Sequence, residues 1–226
     1  MKKIIYVVAA LLPLWFASCS KPSPADGQNE DFVFGAVDIG LSVKWANANL
    51  GAASPEDYGD YYAWGETTPK VDYTWKTYKW CKGSETSLTK YNTSPEYGTI
   101  DNKTQLDPED DVAHVKLGGT WRMPTADEID ELVSTQNRPN YRWDKIIVDD
   151  DEVAWKVTYL DNGNSITLPT ACYKFGTTLI YSISIWSSSL DPLYPYEAFF
   201  LCLSNTGLDL SFDTRSDGVP IRPVCD

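Results

Sequence analysis

The chain has 226 residues, with 19 basic against 32 acidic side chains and a formal net charge of -13. Its apolar (42%) and charged (23%) fractions are those of a globular chain and not of a disordered one. A sequence pI of about 4.4 excludes a nucleic-acid surface and charge-driven adsorption to anionic lipid, since both need clustered Lys and Arg.

Lys2 and Lys3 precede an apolar run from Ile4 to Phe16. That run is shorter than the ~20 residues a helix needs to span a bilayer, so it reads as the core of a secretory signal peptide. Ala17-Ser18-Cys19 comes next. It resembles the bacterial lipobox, in which the cysteine is acylated and becomes the mature N-terminus. An ordinary secretory cleavage site that happens to carry a cysteine is the other reading. The lipobox reading makes residues 1–18 a lipoprotein signal peptide and Cys19 the lipidation site, and more than one acyl chain gives a stable anchor. Ser20 in place of Asp after the cysteine implies outer-membrane delivery, with the cell surface and the periplasmic face both open. Residues 19–31 are polar and carry Pro22, Pro24 and Gly27, which suits a flexible tether. Residues 32–226 contain no repeat and no second low-complexity gap, and read as a single domain.

Within that domain, Val43 to Trp45 and Tyr61 to Trp64 look like short strands. Ser54-Pro55-Glu56-Asp57 predicts one helical turn ending at Gly59. Asp107-Pro108-Glu109-Asp110 predicts a helix with Pro in its first turn, running through Val112 and Val115 and stopping at Gly118. These helix starts account for the acidic clusters, and no Asp-x-Asp-x-Asp-Gly calcium loop is present, so no metal site is expected. Thr125-Ala126-Asp127-Glu128 is a capping box, opening a helix whose apolar stripe is Ile129, Leu132 and Val133. Asp149 to Glu152 reads as a solvated turn. Ala154 to Tyr159 and Ser165 to Leu168 read as a hairpin about a Gly-containing loop. Strands follow at Phe199 to Leu203, Leu208 to Phe212 and Val219 to Val224.

Chemistry is sparse. The one histidine, His114, lies mid-helix with no nucleophile or orienting partner in its motif. No CxxC, HExxH, GxSxG or phosphate loop occurs, so no cofactor and no catalytic constellation is expected. Cys81, Cys172, Cys202 and Cys225 allow three pairings that the sequence does not rank.

Five stretches occur together: Val37 to Ala46, Asp57 to Glu66, Gly118 to Thr125, Trp186 to Ser189, and Arg222-Pro223-Val224. The set resembles the Fibrobacter succinogenes major paralogous domain of secreted Bacteroidetes lipoproteins, across nearly all of residues 35 to 225. The Trp-Arg-x-Pro-Thr-x-x-Glu element from Trp121 is similar to one in formylglycine-generating enzymes and related C-type-lectin-like folds. The resemblance implies an α+β, C-type-lectin-like fold with short helices around small twisted antiparallel sheets. Formylglycine-generating enzymes use a close cysteine pair near the C-terminus. Cys202 and Cys225 are far apart here, so the enzyme reading loses its residues. Many members carry Cys where Asn47 stands, which leaves Cys225 without that partner and makes Cys172 with Cys202 a replacement pair to test.

Some lipoproteins of this fold are targets of diversity-generating retroelements, with variable ligand-contact residues before the last strand. The matching segment here runs from Trp186 to Arg222. Alternation puts Leu208, Leu210 and Phe212 on one strand face as core, and Asp209, Ser211 and Asp213 on the other with Phe200 from the neighbouring strand. Tyr194, Tyr196 and Arg215 from the flanking loops would complete a surface for a protein or glycan ligand. The competing reading buries Phe200 on the second side of a two-sided sheet and leaves the acids as solubilising groups. The expected function is a non-catalytic ligand-binding or adhesion module, held to the membrane only by its N-terminal lipid. The alternatives are a structural surface or pilus-tip component and an exported enzyme of formylglycine-generating type.

Overall fold

A computed structural model describes residues 32–148, 152–170, 173–180, 182–204 and 207–226. The signal peptide, Cys19, the tether, Asp149 to Asp151 and Cys172 therefore lie outside the described residues.

Three strands precede the helices: β1 (Ala36–Val37), β2 (Lys44–Ala46) and β3 (Tyr61–Tyr62). The helices are α1 (Val112–Leu117) and α2 (Ala126–Ser134). After them come β4 (Tyr141–Val148), β5 (Glu152–Tyr159), β6 (Ser165–Pro169), β7 (Tyr173–Phe175), β8 (Thr178–Ile180) and β9 (Ser184–Leu190). The chain ends with β10 (Glu197–Ser204), β11 (Gly207–Thr214), β12 (Val219–Pro220) and β13 (Val224–Cys225). These strands form small antiparallel sheets ordered β1-β2-β13, β11-β10-β9, β12-β3, β4-β5-β6 and β7-β8. The result is a loop-rich α+β architecture in which the C-terminal residues return to pair with the first strands.

The capping box at α2 forms as its sequence dictates: Thr125 Oγ1 accepts from the Glu128 amide at 3.2 Å, and Glu128 Oε2 accepts from the Thr125 amide at 2.8 Å. Ile129 and Leu132 are fully buried beneath it. The first helix starts later than its acidic run suggests. Asp111, not Asp107, is the cap, accepting from the amides of Ala113 and His114. Residues 107–110 form a turn instead, and the Asp107 carboxylate is held by Lys90 and Lys103. The expected strand at Val219 to Val224 splits into two short ones in different sheets. Pro223 has no amide to continue a ladder, and the Arg222 side chain turns inward to Ala46 O, Asn49 Oδ1 and Thr167 O.

The aromatic content has a structural explanation. Few regular hydrogen bonds serve the long segment from Ala63 to Asp111, so its carbonyls need other donors. Indole and phenol tips supply some of them, there and at the strand before it. Trp80 Nε1 donates to Gly65 O, Tyr78 OH to Trp64 O, and Tyr73 OH to Tyr61 O. Trp64 and Trp186 stitch strand to loop through Ser187 O and Tyr62 O. Each ring buries a large apolar area and also satisfies a buried acceptor.

The β11-β10-β9 sheet carries core on both faces. Ile185, Leu201 and Leu208 pack with Ile129 and Trp45 on the α2 side. Trp186, Ala198 and Phe200 pack with Trp64, Tyr91 and Met123 on the other.

Candidate functional site

Two regions concentrate polar chemistry. The first is a cavity of about 240 Å³ lined by Gln105, Leu106, Pro108, Asp111, His114, Arg122, Thr125 and Ser188. Its polar groups are committed to one another. Asp111 accepts a third amide bond from Met123 at 2.8 Å, and burial holds its carboxyl above the usual range against those three donors. Arg122 grips Glu128 through both terminal nitrogens. Ser188 Oγ accepts from the Gln105 amide and donates to Pro124 O at 3.1 Å. His114 Nδ1 faces Trp121 O at 3.3 Å. No hydrogen bond among the described residues joins Ser188 to His114. With its proton on a backbone carbonyl, the serine is a structural hydroxyl and not an activated nucleophile.

The second region begins just after the C-terminal end of β9. The loop from β9 to β10 is drawn tight by Asp191, whose Oδ1 accepts from the amides of Leu193 and Tyr194. Glu197 N closes it onto Tyr194 O at 2.8 Å. Tyr194 is 46% exposed. The Tyr196 ring sits between two others, with its centroid 6.0 Å from Tyr194 and 5.1 Å from Tyr97. Tyr97 comes from a distant single-turn helix, Pro95–Tyr97, capped by Ser94. Carboxylates surround this stack. Burial, then Glu197, Tyr97 and Glu85, raise the Tyr196 phenol above its usual range. Glu197 is itself raised by burial and by Asp191, Asp213 and Glu85.

The acid row of β11 continues the face. Asp209 stands opposite Cys202, Ser211 opposite Phe200, and Asp213 opposite Ala198. Asp209 is exposed, while Ser211 and Asp213 are half-buried. Asp213 groups with Asp217 and Tyr173, whose phenol both carboxylates raise after burial. Burial lifts the Cys202 thiol, which disfavours a nucleophilic thiolate there. Cys81, Cys202 and Cys225 are free thiols among the described residues.

Two residues expected at a ligand surface are interior instead. Phe200 is 6% exposed and packs edge-on against Trp186, because the sheet has core on both sides. Arg215 is 0% exposed. Its guanidinium donates to Tyr78 OH, Tyr91 O, Pro195 O and Lys90 O, and lies 4.8 Å over the Trp64 ring. It thus supports the tyrosine loop from beneath through Pro195. Conversely Phe212, expected in the core, is 49% exposed. Tyr97, Glu85, Glu197, Tyr173 and Asp217 join the expected residues. None stands in a periodic pattern that singles it out, and Tyr97 is brought in by a fold-level contact alone.

Among the described residues no three His, Cys, Asp or Glu side chains are placed to hold a metal ion, and no helix is long and apolar enough to cross a membrane. Comparison with known protein families, with curated proteins and with solved structures gives no match to this chain.

Proposed function

We propose that this protein is a non-catalytic ligand-binding or adhesion module with a C-type-lectin-like fold, carried at the outer membrane on a lipid at Cys19. The Tyr97, Tyr196 and Tyr194 rings are its contact surface for a protein or glycan ligand. The observation that carries this reading is a ring stack with Tyr194 exposed and Tyr196 and Tyr97 half-buried, drawn from two separate segments and fixed from below by a buried arginine. Rigid amphipathic rings give large contact area at low entropic cost, which is why binding surfaces favour tyrosine. Probing protein and glycan arrays with the mature domain and its Tyr196→Ala variant tests the proposal. A ligand captured by the first and lost by the second supports it. Equal capture by both contradicts it.

A further inference from the structure

Beyond the tyrosine rings, the same face contains a pair of acids with one buried oxygen that has no partner among the described residues. After β11 the chain turns back, with the Asp217 amide donating to Thr214 O at 3.0 Å, so Asp213 and Asp217 flank one turn. Arg215 lies between them in sequence but points inward, and its donors are spent on three carbonyls and a phenol. Asp217 is 2% exposed, and its Oδ1 has no hydrogen-bond partner among the described residues. Burial and then the neighbouring Asp213 carboxylate push Asp217 up to about 8, with the Ser216 hydroxyl opposing. Burial also lifts Asp213, opposed by the Thr214 amide. Tyr173, on β7, borders both acids. The remaining charged neighbours are Glu197, which Asp213 raises, and Lys174, whose ammonium lies 4.6 Å over the Tyr61 ring.

A buried carboxylate oxygen without a partner is costly, and two adjacent carboxylates resist joint ionisation. A cation bound beside them would relieve both terms. A hard divalent ion needs about six to eight oxygens, and no third acidic side chain is placed to help among the described residues. An ammonium group needs only a few acceptors and gains from an adjacent ring. A neutral sugar can donate hydroxyls to carboxylates but brings no positive charge to offset their mutual repulsion.

We propose that Asp213 and Asp217, beside Tyr173, receive the alkylammonium group of a lysine side chain presented by a protein ligand. This rests on the reading of the C-terminal face as the ligand surface and names the chemistry of the partner. The half-buried Asp213 meets the ammonium first, with Asp217 ionising behind it. Its O–H bond breaks, the electron pair stays on the carboxylate, and the proton leaves to buffer. Near neutral pH, binding therefore releases a proton, and affinity rises as pH rises toward the Asp217 titration.

The test is calorimetry on the mature chain near neutral pH, in two buffers of different ionisation enthalpy. The probes are a short glycine peptide with one lysine, its Nε-acetyl counterpart, and butylamine. The lysine peptide should bind about tenfold or more tighter than the acetylated one, as loss of a charge-assisted hydrogen bond implies. Its heat should differ between buffers by the release of up to one proton. Asp217→Asn should abolish that release while keeping the fold, because it removes a buried acid, and Asp213→Asn should weaken binding comparably. Butylamine matching the peptide would mean that a free amine suffices and would overturn the protein-ligand assignment. Equal affinity for the lysine and acetyl-lysine peptides would overturn the proposal outright. An array ligand lost in Tyr196→Ala, but indifferent to lysine acetylation and to Asp217→Asn, would leave the face reading standing and remove this one alone.

Discussion

The cavity beside α1 and the tyrosine face at the end of β9 are built from similar ingredients and end in opposite conditions. Both combine serine or tyrosine hydroxyls, carboxylates and an arginine. In the cavity the polar groups close on one another: Asp111 on backbone amides, Arg122 on Glu128, Ser188 on Gln105 and Pro124. On the face, Arg215 is consumed beneath the surface, Tyr194 is exposed with the Tyr196 and Tyr97 rings half-buried beside it, and Asp217 keeps a buried oxygen without a partner among the described residues. A concavity whose polar groups are mutually satisfied is a piece of architecture. A region that leaves a buried carboxylate oxygen unsatisfied gains free energy from any donor that reaches it.

The largest expected effect breaks the face from below. Arg215→Met removes the donors to Pro195 O, Tyr91 O and Lys90 O, leaving buried carbonyls orphaned. Urea denaturation should report a loss of about 3 kcal/mol or more. Tyr196→Ala should cost more binding than stability: a loss of about 2 kcal/mol in affinity for an array ligand, measured by titration, against about 1 kcal/mol or less in unfolding, because the ring is only half-buried. A third variant sharpens the electrostatic difference. Asp217 is raised in the folded chain from 3.8 to about 8. The native state therefore holds a proton that the unfolded state has released, and stability falls as pH rises through that window, by at most about 1.4 kcal/mol per pH unit. Asp217→Asn should flatten that slope in denaturation curves taken across the window. The smallest effect belongs to the cavity, where His114→Gln should leave ligand affinity unchanged and shift stability by less than about 0.5 kcal/mol.

Local signals were legible in the sequence where the physics is local. The Thr125 and Glu128 capping box fixes α2 within four residues, and the Ala154 to Leu168 hairpin follows from alternation about a glycine turn. Register carried less far. Alternation places Phe200 opposite Ser211 but cannot say that the sheet is dry on both sides. Arg215 is expected on a flanking loop at the surface, yet its guanidinium turns inward to Tyr78, Tyr91, Pro195 and Lys90, partners that are distant in sequence and that no local pattern reveals. β9 stayed hidden because Ser187 to Ser189 lack strand propensity. Their hydroxyls instead form a seam of hydrogen bonds to Phe199 O, Pro124 O and the Ala126 amide. Tyr97 was illegible for a different reason: nothing near it in sequence marks it, and only the fold stacks it on Tyr196. The high aromatic count, which by itself hints at ligand binding, largely belongs to the buried core, where several indole and phenol tips also satisfy backbone carbonyls.

Hydrogen exchange on the mature domain, with and without a ligand taken from the arrays, tests the contrast between the two regions most directly. The account predicts new protection at the amides of residues 191–197 and 95–98, with those of residues 105–125 unchanged. Protection confined to residues 105–125 would contradict it, moving the binding site to the cavity and leaving the tyrosine stack without a ligand.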